Sequence, residues 1–210
     1  MAKLVSVNVG TAGHIPGYKP LTGIVKSPVE QAQIERLGIE ADAICDRKHH
    51  GGVDQAIYVY FADDYRFWAN ELHRRIEPGL FGDNLTIDGI EGRAVAVGDR
   101  FAIGSVLLEV TSHRTPCMTF AARMEDKGFV RRFHRAGRPG AYCRVIEPGI
   151  VTAGQAVDYL PYDGDRITVA ELMALDGKRS IDPAFMRRAL LVPIHYKMRA
   201  DYEANLAQLF

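Results

Sequence analysis

Short apolar runs separated by glycine and polar turns dominate the first 160 residues of the chain. Such runs, bounded by turn residues, predict β-strands, and their close spacing leaves no room for repeated βαβ units. The predicted strands cover 3–9, 23–27, 55–61, 85–87, 95–97, 100–103, 105–110, 142–145 and 156–160. This pattern predicts a barrel-like or sandwich-like β domain with a few inserted helices.

Helical periodicity interrupts the β pattern twice, over 63–75 and over 117–135. Asp63 is the candidate cap of the first segment, and Gly128 is a point where the second can split. The apolar positions at helical spacing, expected in the core, are Tyr65, Trp68, Leu72, Phe120, Met124, Phe129, Val130 and Phe133.

The composition changes after Pro161. Further helices are predicted over 168–175, 182–190 and 195–209. Thr168, Asp182 and Pro183 supply start signals. The fold class is therefore predicted as mixed α+β, with a β-barrel-rich domain over 1–160 and a small C-terminal helical appendage over 161–210. The appendage is expected to pack on the β domain or on another subunit, so a homodimer stays open.

The charge balance narrows the classes of partner. The chain of 210 residues has 26 basic and 26 acidic residues, so it shows no overall electrostatic footprint for nucleic acid or for an anionic membrane. No signal peptide and no long apolar run stands out, and three cysteines without a CxxC pair fit a reducing compartment. We expect a cytoplasmic protein that binds neither nucleic acid nor membranes.

Cys117 is the strongest candidate for chemistry, in the run His113-Arg114-Thr115-Pro116-Cys117. Thr115 is the expected N-cap and Pro116 the first helical residue, which places Cys117 in a first turn that favours a thiolate. The charge of Arg114, and of His113 when protonated, acts in the same direction. A buried, inert thiol remains the alternative.

The other two cysteines, Cys45 and Cys143, lack comparable signals and are interpreted as structural. The segment 46–55 offers a different chemistry. Gly51 and Gly52 allow close backbone approach to a ligand, and basic side chains beside them supply donors for an anion. A tight turn with solvated side chains is the alternative, and no spacing here is diagnostic of zinc.

Arginines are densest over 131–144, where they form either a solvated helix face or a phosphate contact for a cofactor. Arg144 is the candidate from this stretch.

The turn at 81–84, which contains Asp83 and Asn84, is explained by Asx hydrogen bonding alone. The chain has no GxGxxG, Walker A, HExxH or GxSxG motif, so a redox role would need electrons delivered from elsewhere.

Several different short motifs follow one another in a specific order along nearly the whole chain. They are Leu21-Thr22-Gly23-Ile24-Val25-Lys26, Leu37-Gly38-Ile39-Glu40-Ala41-Asp42, His50-Gly51-Gly52-Val53-Asp54-Gln55-Ala56, Tyr65 with Trp68, Phe81-Gly82-Asp83-Asn84-Leu85, Gly98-Asp99, Arg114-Thr115-Pro116-Cys117 and Gly140-Ala141-Tyr142-Cys143-Arg144-Val145. Together they resemble the YiiM group of MOSC-domain proteins, named for the C-terminal domain of molybdenum cofactor sulfurase.

The resemblance implies a β-barrel-rich domain that binds molybdenum cofactor, with Cys117 as the protein ligand to molybdenum. It also implies a pocket lined by the residues His50, Gly51, Gly52, Asp83, Asn84 and Arg114. Some positions depart from the family pattern: His113 stands where proline is usual, Asp83 where glutamate is common and Gln55 where a basic residue is common.

The implied activity is reduction of N-hydroxylated small molecules, including 6-hydroxylaminopurine, to amines, with electrons from a separate reductase. Asp83, His50 or His113 would deliver the proton, and histidine is favoured because it exchanges protons near neutral pH. Two alternatives stay open. One is a carrier of the cofactor or of sulfur without turnover, and the other is a binding module with an inert thiol.

Overall fold

The computed structural model describes residues 1–208. The strands are β1 (Ala2–Gly10), β2 (Gly13–Ile15), β3 (Tyr18–Thr22), β4 (Lys26–Val29), β5 (Gln31–Glu35), β6 (Gly38–Ile39), β7 (Ile57–Phe61), β8 (Leu85–Asp88), β9 (Arg100–Ile103), β10 (Val106–His113), β11 (Ala141–Glu147), β12 (Gly149–Thr152) and β13 (Ala156–Leu160). The helices are α1 (Ala62–Leu72), α2 (Met118–Arg123), α3 (Phe129–Ala136), α4 (Val169–Met173), α5 (Pro183–Ala189) and α6 (Tyr196–Ala207).

Seven strands close into a barrel in the order β13-β9-β10-β11-β7-β8-β1, because β1 also pairs with β13. The β7–β8 pair is parallel and the other pairs of the ring are antiparallel. Strand β4 adds to β1 outside the ring, and β12-β5-β6 and β2-β3 form small separate sheets. The predicted mixed, barrel-rich fold with inserted helices is confirmed.

Strand β7 is buried on both faces. Ile57, Val59 and Phe61 belong to the core inside the barrel, whereas Tyr58 and Tyr60 belong to an aromatic cluster outside it. The other fully buried rings of this aromatic cluster are Trp68, Phe81, Phe120, Phe129 and Phe133. Side chains alternate between the two sides of a strand, so β7 separates two interiors. The aromatic positions predicted from helical spacing at 68, 120, 129 and 133 are confirmed as core.

Some local predictions were wrong. Helix α1 is capped by Phe61, so Asp63 lies inside the first turn rather than at the cap. The segment 95–97 forms no strand, and Ala96 makes an isolated bridge with Thr168. Strands β2, β3, β5, β6 and β12 were missed, since they lie in polar or glycine-rich stretches with weak apolar patterns. The expected break at Gly128 is present between α2 and α3.

The C-terminal helices begin where their cap signals place them. Thr168 forms a capping box with Glu171, and the Asp182 carboxylate accepts a bond from the Ala184 N–H. Helices α5 and α6 pack in a third cluster, which also includes Val97 and Leu172 of α4. Helix α4 reaches the other two clusters as well, because Val169 packs in the barrel core and Met173 in the aromatic cluster.

The last predicted helix, 195–209, ends outside the described residues; α6 is described from Tyr196 to Ala207. Within residues 1–208, no helix has the length and apolar character needed to cross a bilayer.

Candidate functional site

A single cavity on the outer face of the barrel collects most of the predicted functional residues. Tyr58 of β7 and Tyr142 of β11 form part of its wall, with ring centroids 5.1 Å apart. Cys117, His50 and Arg114 also line it. Two segments distant in sequence, one with His50 and the other with Arg114 and Cys117, therefore bring an imidazole, a guanidinium and a thiol to one place.

Cys117 is partly exposed and is itself the N-cap of α2, in an extended conformation with φ −126°. The expectation that Thr115 caps this helix was wrong, because its hydroxyl bonds elsewhere, to Asp176. The thiol nevertheless lies at the amino end of a helix, next to free N–H groups.

The pKa of the Cys117 thiol is lowered to about 6. Burial on its own raises this pKa, but the hydrogen-bonding interaction with His50, the charge of Arg114 and the backbone N–H of Phe120 together outweigh it. Near neutral pH the sulfur is therefore mostly a thiolate, the form that acts as nucleophile and as metal ligand.

Arg114 is a buried cation, only 5% exposed. Its guanidinium carbon lies 4.0 Å from the ring centroid of Phe120 and 5.2 Å from that of Tyr58. Its Nη1 atom has no hydrogen-bond partner among the residues described. A buried donor without a partner is costly, so this nitrogen is suited to an anionic ligand in the cavity.

The loop that carries His50 is held by its own backbone. The His50 N–H donates to the Asp46 carbonyl over 2.9 Å. Gly51 has φ 76° and lies so close to Ile44 that a Cβ atom would be 3.0 Å from its Cδ1 atom. Gly51 lines the cavity, whereas Gly52 is exposed and lies outside the lining, where it precedes a 3₁₀ turn.

Asn84 lines the cavity as expected and connects two of its walls. Its Oδ1 atom accepts from the Tyr58 N–H over 3.1 Å, and its Nδ2 atom donates to Asp42 over 2.9 Å. Asp42 also forms a buried ion pair with Lys26, and burial lowers the pKa of that lysine. The roles of Lys26 and Asp42 were missed, although both stand in the motifs singled out above.

The structure places Asp83 outside the cavity. The carboxylate is fully buried and accepts from Tyr65 Oη at 2.6 Å, Thr86 Oγ1 at 2.7 Å and Asn8 Nδ2 at 3.3 Å. Burial raises the pKa of Asp83. Its predicted catalytic contact with the ligand is therefore corrected: with three donors bound and no exposed surface, Asp83 braces the strands behind the cavity wall.

Arg144 and His113 also lie away from the cavity. Arg144 shares the outer face of β11 with Tyr142 but is two residues further along, where it pairs with Asp54 at 3.0 Å and Glu109 at 3.4 Å. The structure therefore does not bring Arg144 together with the predicted cofactor contacts that line the cavity. The His113 imidazole faces Asp176 at 3.0 Å.

The remaining cysteines differ from one another. Cys45 is exposed and lines the cavity, so its interpretation as structural was wrong. Cys143 is buried inside the barrel, and burial raises the pKa of its thiol well above the usual range.

The model of the MOSC domain family matches residues 46–158, which is more than half of the chain. The chain belongs to this family. Protein YiiM of Escherichia coli is 31% identical over 190 residues, covering 89% of this chain and 84% of that protein. YflK of Bacillus subtilis, described as uncharacterized, is 34% identical over 160 residues, covering 75% of this chain and 72% of that protein.

A protein of Gibberella moniliformis named "Reductase" is 33% identical over 149 residues, covering 69% of this chain but 27% of that longer protein. Among solved structures, YiiM of Geobacillus stearothermophilus superposes with a TM-score of 0.80 at 22% identity, over 98% of this chain and 100% of that one. YiiM of Escherichia coli gives 0.77 at 23% identity, over 100% and 94%. These likenesses establish the shared fold.

Proposed function

We propose that the protein binds molybdenum cofactor in this cavity through Cys117 and reduces N-hydroxylated small molecules, such as 6-hydroxylaminopurine, to amines. The observation that carries the proposal is a partly exposed thiol of lowered pKa in the same cavity as the unpartnered Arg114 nitrogen. Membership of the MOSC family and the relative named reductase support the same assignment.

The residues of the cavity fit this cofactor. A thiolate is a soft ligand that suits a redox-active metal, and the free N–H of Arg114 suits an anionic oxygen of a pterin phosphate. Gly51 lines the cavity beside them at φ 76°, a backbone conformation that favours glycine. When bound, the cofactor supplies a molybdenum centre able to take oxygen from a substrate.

The overall reaction consumes two electrons and two protons and converts R–NHOH into R–NH₂ and water. The electrons come from a separate reductase. His50 is the proton donor of this proposal, because it is the histidine that lines the cavity and interacts with Cys117. Asp83 and His113 do not line the cavity. Asp83 is hydrogen-bonded to Thr86, and His113 is hydrogen-bonded to Asp176.

Metal content and turnover test the proposal separately. The wild type, Cys117→Ser and Cys45→Ser are purified from a host that makes molybdenum cofactor, and molybdenum is measured by mass spectrometry. Cys45 also lines the cavity but is exposed, so Cys45→Ser is the matched control for loss of a sulfur. We expect molybdenum in the wild type and in Cys45→Ser, and its loss in Cys117→Ser.

Turnover of 6-hydroxylaminopurine with a chemical reductant then distinguishes an enzyme from a carrier. Molybdenum-loaded protein that forms no amine would support the carrier alternative. Wild-type protein without molybdenum, from a host that loads other molybdenum enzymes, would overturn the proposal.

A further inference from the structure

Two buried polar atoms in the wall of the cavity have no hydrogen-bond partner among residues 1–208. They are Arg114 Nη1, a donor, and Gln55 Oε1, an acceptor. Other buried atoms without a partner, such as Asp64 Oδ2 and His134 Nε2, belong to residues that do not line the cavity. A buried polar atom without a partner is costly, so the pair in the wall indicates a ligand that offers one acceptor and one donor.

The neighbouring polar groups of the wall are already paired with one another. Asn84 accepts from the Tyr58 N–H over 3.1 Å and donates to Asp42 over 2.9 Å. Lys26 forms its ion pair with Asp42. The Tyr58 hydroxyl donates to the Pro139 carbonyl over 2.8 Å. These groups therefore leave the two unpartnered atoms to a bound molecule.

The backbone beside the unpartnered acceptor is held by the barrel and by the C-terminal region. Gln55 is the last residue of the 3₁₀ turn Val53–Gln55. The Thr111 hydroxyl of β10 donates to the Asp54 carbonyl over 2.5 Å. The Tyr196 N–H at the start of α6 donates to the Asp54 carboxylate over 2.8 Å. The Gln55 carboxamide is therefore carried on an anchored turn.

The unpartnered donor and acceptor lie within reach of one small molecule. Gln55 precedes Tyr58 by three residues, and three residues of chain span about 11 Å at most. The guanidinium carbon of Arg114 lies 5.2 Å from the centroid of the Tyr58 ring. A ligand with an oxyanion at one end and an N–H group at the other can therefore bind both.

We propose that Gln55 is a specificity-determining residue that accepts a hydrogen bond from a ring N–H or amino group of the ligand whose oxyanion binds Arg114. The ligand class is a phosphate ester of an amino-substituted heterocycle, and the pterin of the cofactor belongs to this class. A carboxamide carries no charge, so this end of the cavity selects a neutral donor rather than a second anion. The inference rests on the proposed function for the identity of the ligand but needs neither molybdenum nor turnover.

The test measures two nucleotides on the full chain purified from a host unable to make molybdenum cofactor. Guanosine monophosphate carries the same aminopyrimidinone ring as a pterin, whereas purine riboside monophosphate has the same sugar and phosphate but no N–H group on its base. Isothermal titration calorimetry gives both dissociation constants. We expect guanosine monophosphate to bind about fivefold more tightly, the gain from one hydrogen bond.

Substitutions at both ends of the cavity assign this preference to a residue. Gln55→Met keeps the length of the side chain and removes the acceptor, so the two affinities should become equal. Gln55→Glu keeps acceptor oxygens but adds a negative charge, so both nucleotides should bind more weakly with the preference retained. Arg114→Met should weaken both to the same extent, because the phosphate is common to them.

Gln31→Met is the matched control, because Gln31 is an exposed residue of β5 that does not line the cavity. Its affinities should match those of the wild type. Melting temperatures are recorded for every variant, and if Gln55→Met does not fold, equal affinities of the wild type for the two nucleotides overturn the proposal.

Three other outcomes contradict the proposal. They are a preference in Gln55→Met equal to that of the wild type, no binding of either nucleotide to the wild type at millimolar concentration, and a loss in Gln55→Met confined to 6-hydroxylaminopurine, which would place Gln55 against the substrate instead. Molybdenum-loaded protein with an unchanged preference in Gln55→Met would contradict this inference alone. Protein that shows the preference but takes up no molybdenum would contradict the proposed function alone.

Discussion

Phe120 serves both charges of the cavity: its ring lies 4.0 Å from the Arg114 guanidinium, and its backbone N–H stabilises the Cys117 thiolate. The cation and the anion therefore both contact one residue in the first turn of α2. Because burial opposes both charges, each depends on the other for its presence in this wall.

Replacement of Arg114 tests this dependence. Arg114→Met removes the charge, and we expect the pKa of the Cys117 thiol to rise by about one unit. Arg114→Lys keeps the charge but loses the guanidinium that lies over the Phe120 ring, so its shift should be smaller. Alkylation rates as a function of pH measure both. If the alkylation profile of Arg114→Met superimposes on that of the wild type, His50 and the helix end are sufficient to lower the pKa of the Cys117 thiol.

His50 and His49 provide a matched pair of substitutions. His50→Gln removes the interaction that lowers the thiol pKa and, in the proposed reaction, the proton donor. We expect a higher thiol pKa and a loss of kcat of about a hundredfold for 6-hydroxylaminopurine. His49 is exposed and paired with Asp46, so His49→Gln should leave both quantities unchanged. Equal effects of the two substitutions would remove His50 from the chemistry.

The three cysteines should separate by reactivity. With a pKa of about 6, about half of Cys117 is thiolate at pH 6, and iodoacetamide should label it first. Cys143 is buried, with its thiol pKa raised, and should label only after unfolding. Peptide mass spectrometry after labelling at pH 6 and pH 8 gives the order. Preferential labelling of exposed Cys45 at pH 6 would contradict the lowered pKa of Cys117.

Asp83 should matter for stability and not for the thiol. In Asp83→Asn, an amide NH₂ replaces one carboxylate oxygen and faces hydroxyl or amide donors of Tyr65, Thr86 or Asn8. We expect a loss of about 1–3 kcal/mol in the free energy of unfolding, measured by urea denaturation. The alkylation profile of Cys117 should not move. An unchanged free energy of unfolding together with a loss of turnover would instead indicate that Asp83 takes part in catalysis.

Features encoded within a few residues were predicted well. Thr168 and Asp182 cap their helices because a hydroxyl or carboxylate two or three residues before a free N–H is a local relation. Trp68 and Phe120 were placed in the core by helical spacing alone. The position of Cys117 at a helix end also followed from its neighbours, although the cap residue itself did not.

Features set by barrel closure could not be predicted. Whether Asp83 or Lys26 faces the cavity depends on how β8 and β4 pair with β1, which no short stretch of sequence reports. Arg144 lies one strand repeat beyond Tyr142, and only the positions of Asp54 and Glu109 show that it is already paired. These contacts join residues far apart in the chain, so the local sequence pattern does not predict them.

The double-sided burial of β7 restricts how this protein can change. An insertion or deletion of one residue between Ile57 and Phe61 would exchange the tyrosines with their aliphatic neighbours. Hydroxyl groups would then enter the hydrocarbon interior of the ring while Val59 took a place beside Arg114. Length variation among homologues should therefore be confined to the connecting loops, with this stretch holding a constant number of residues.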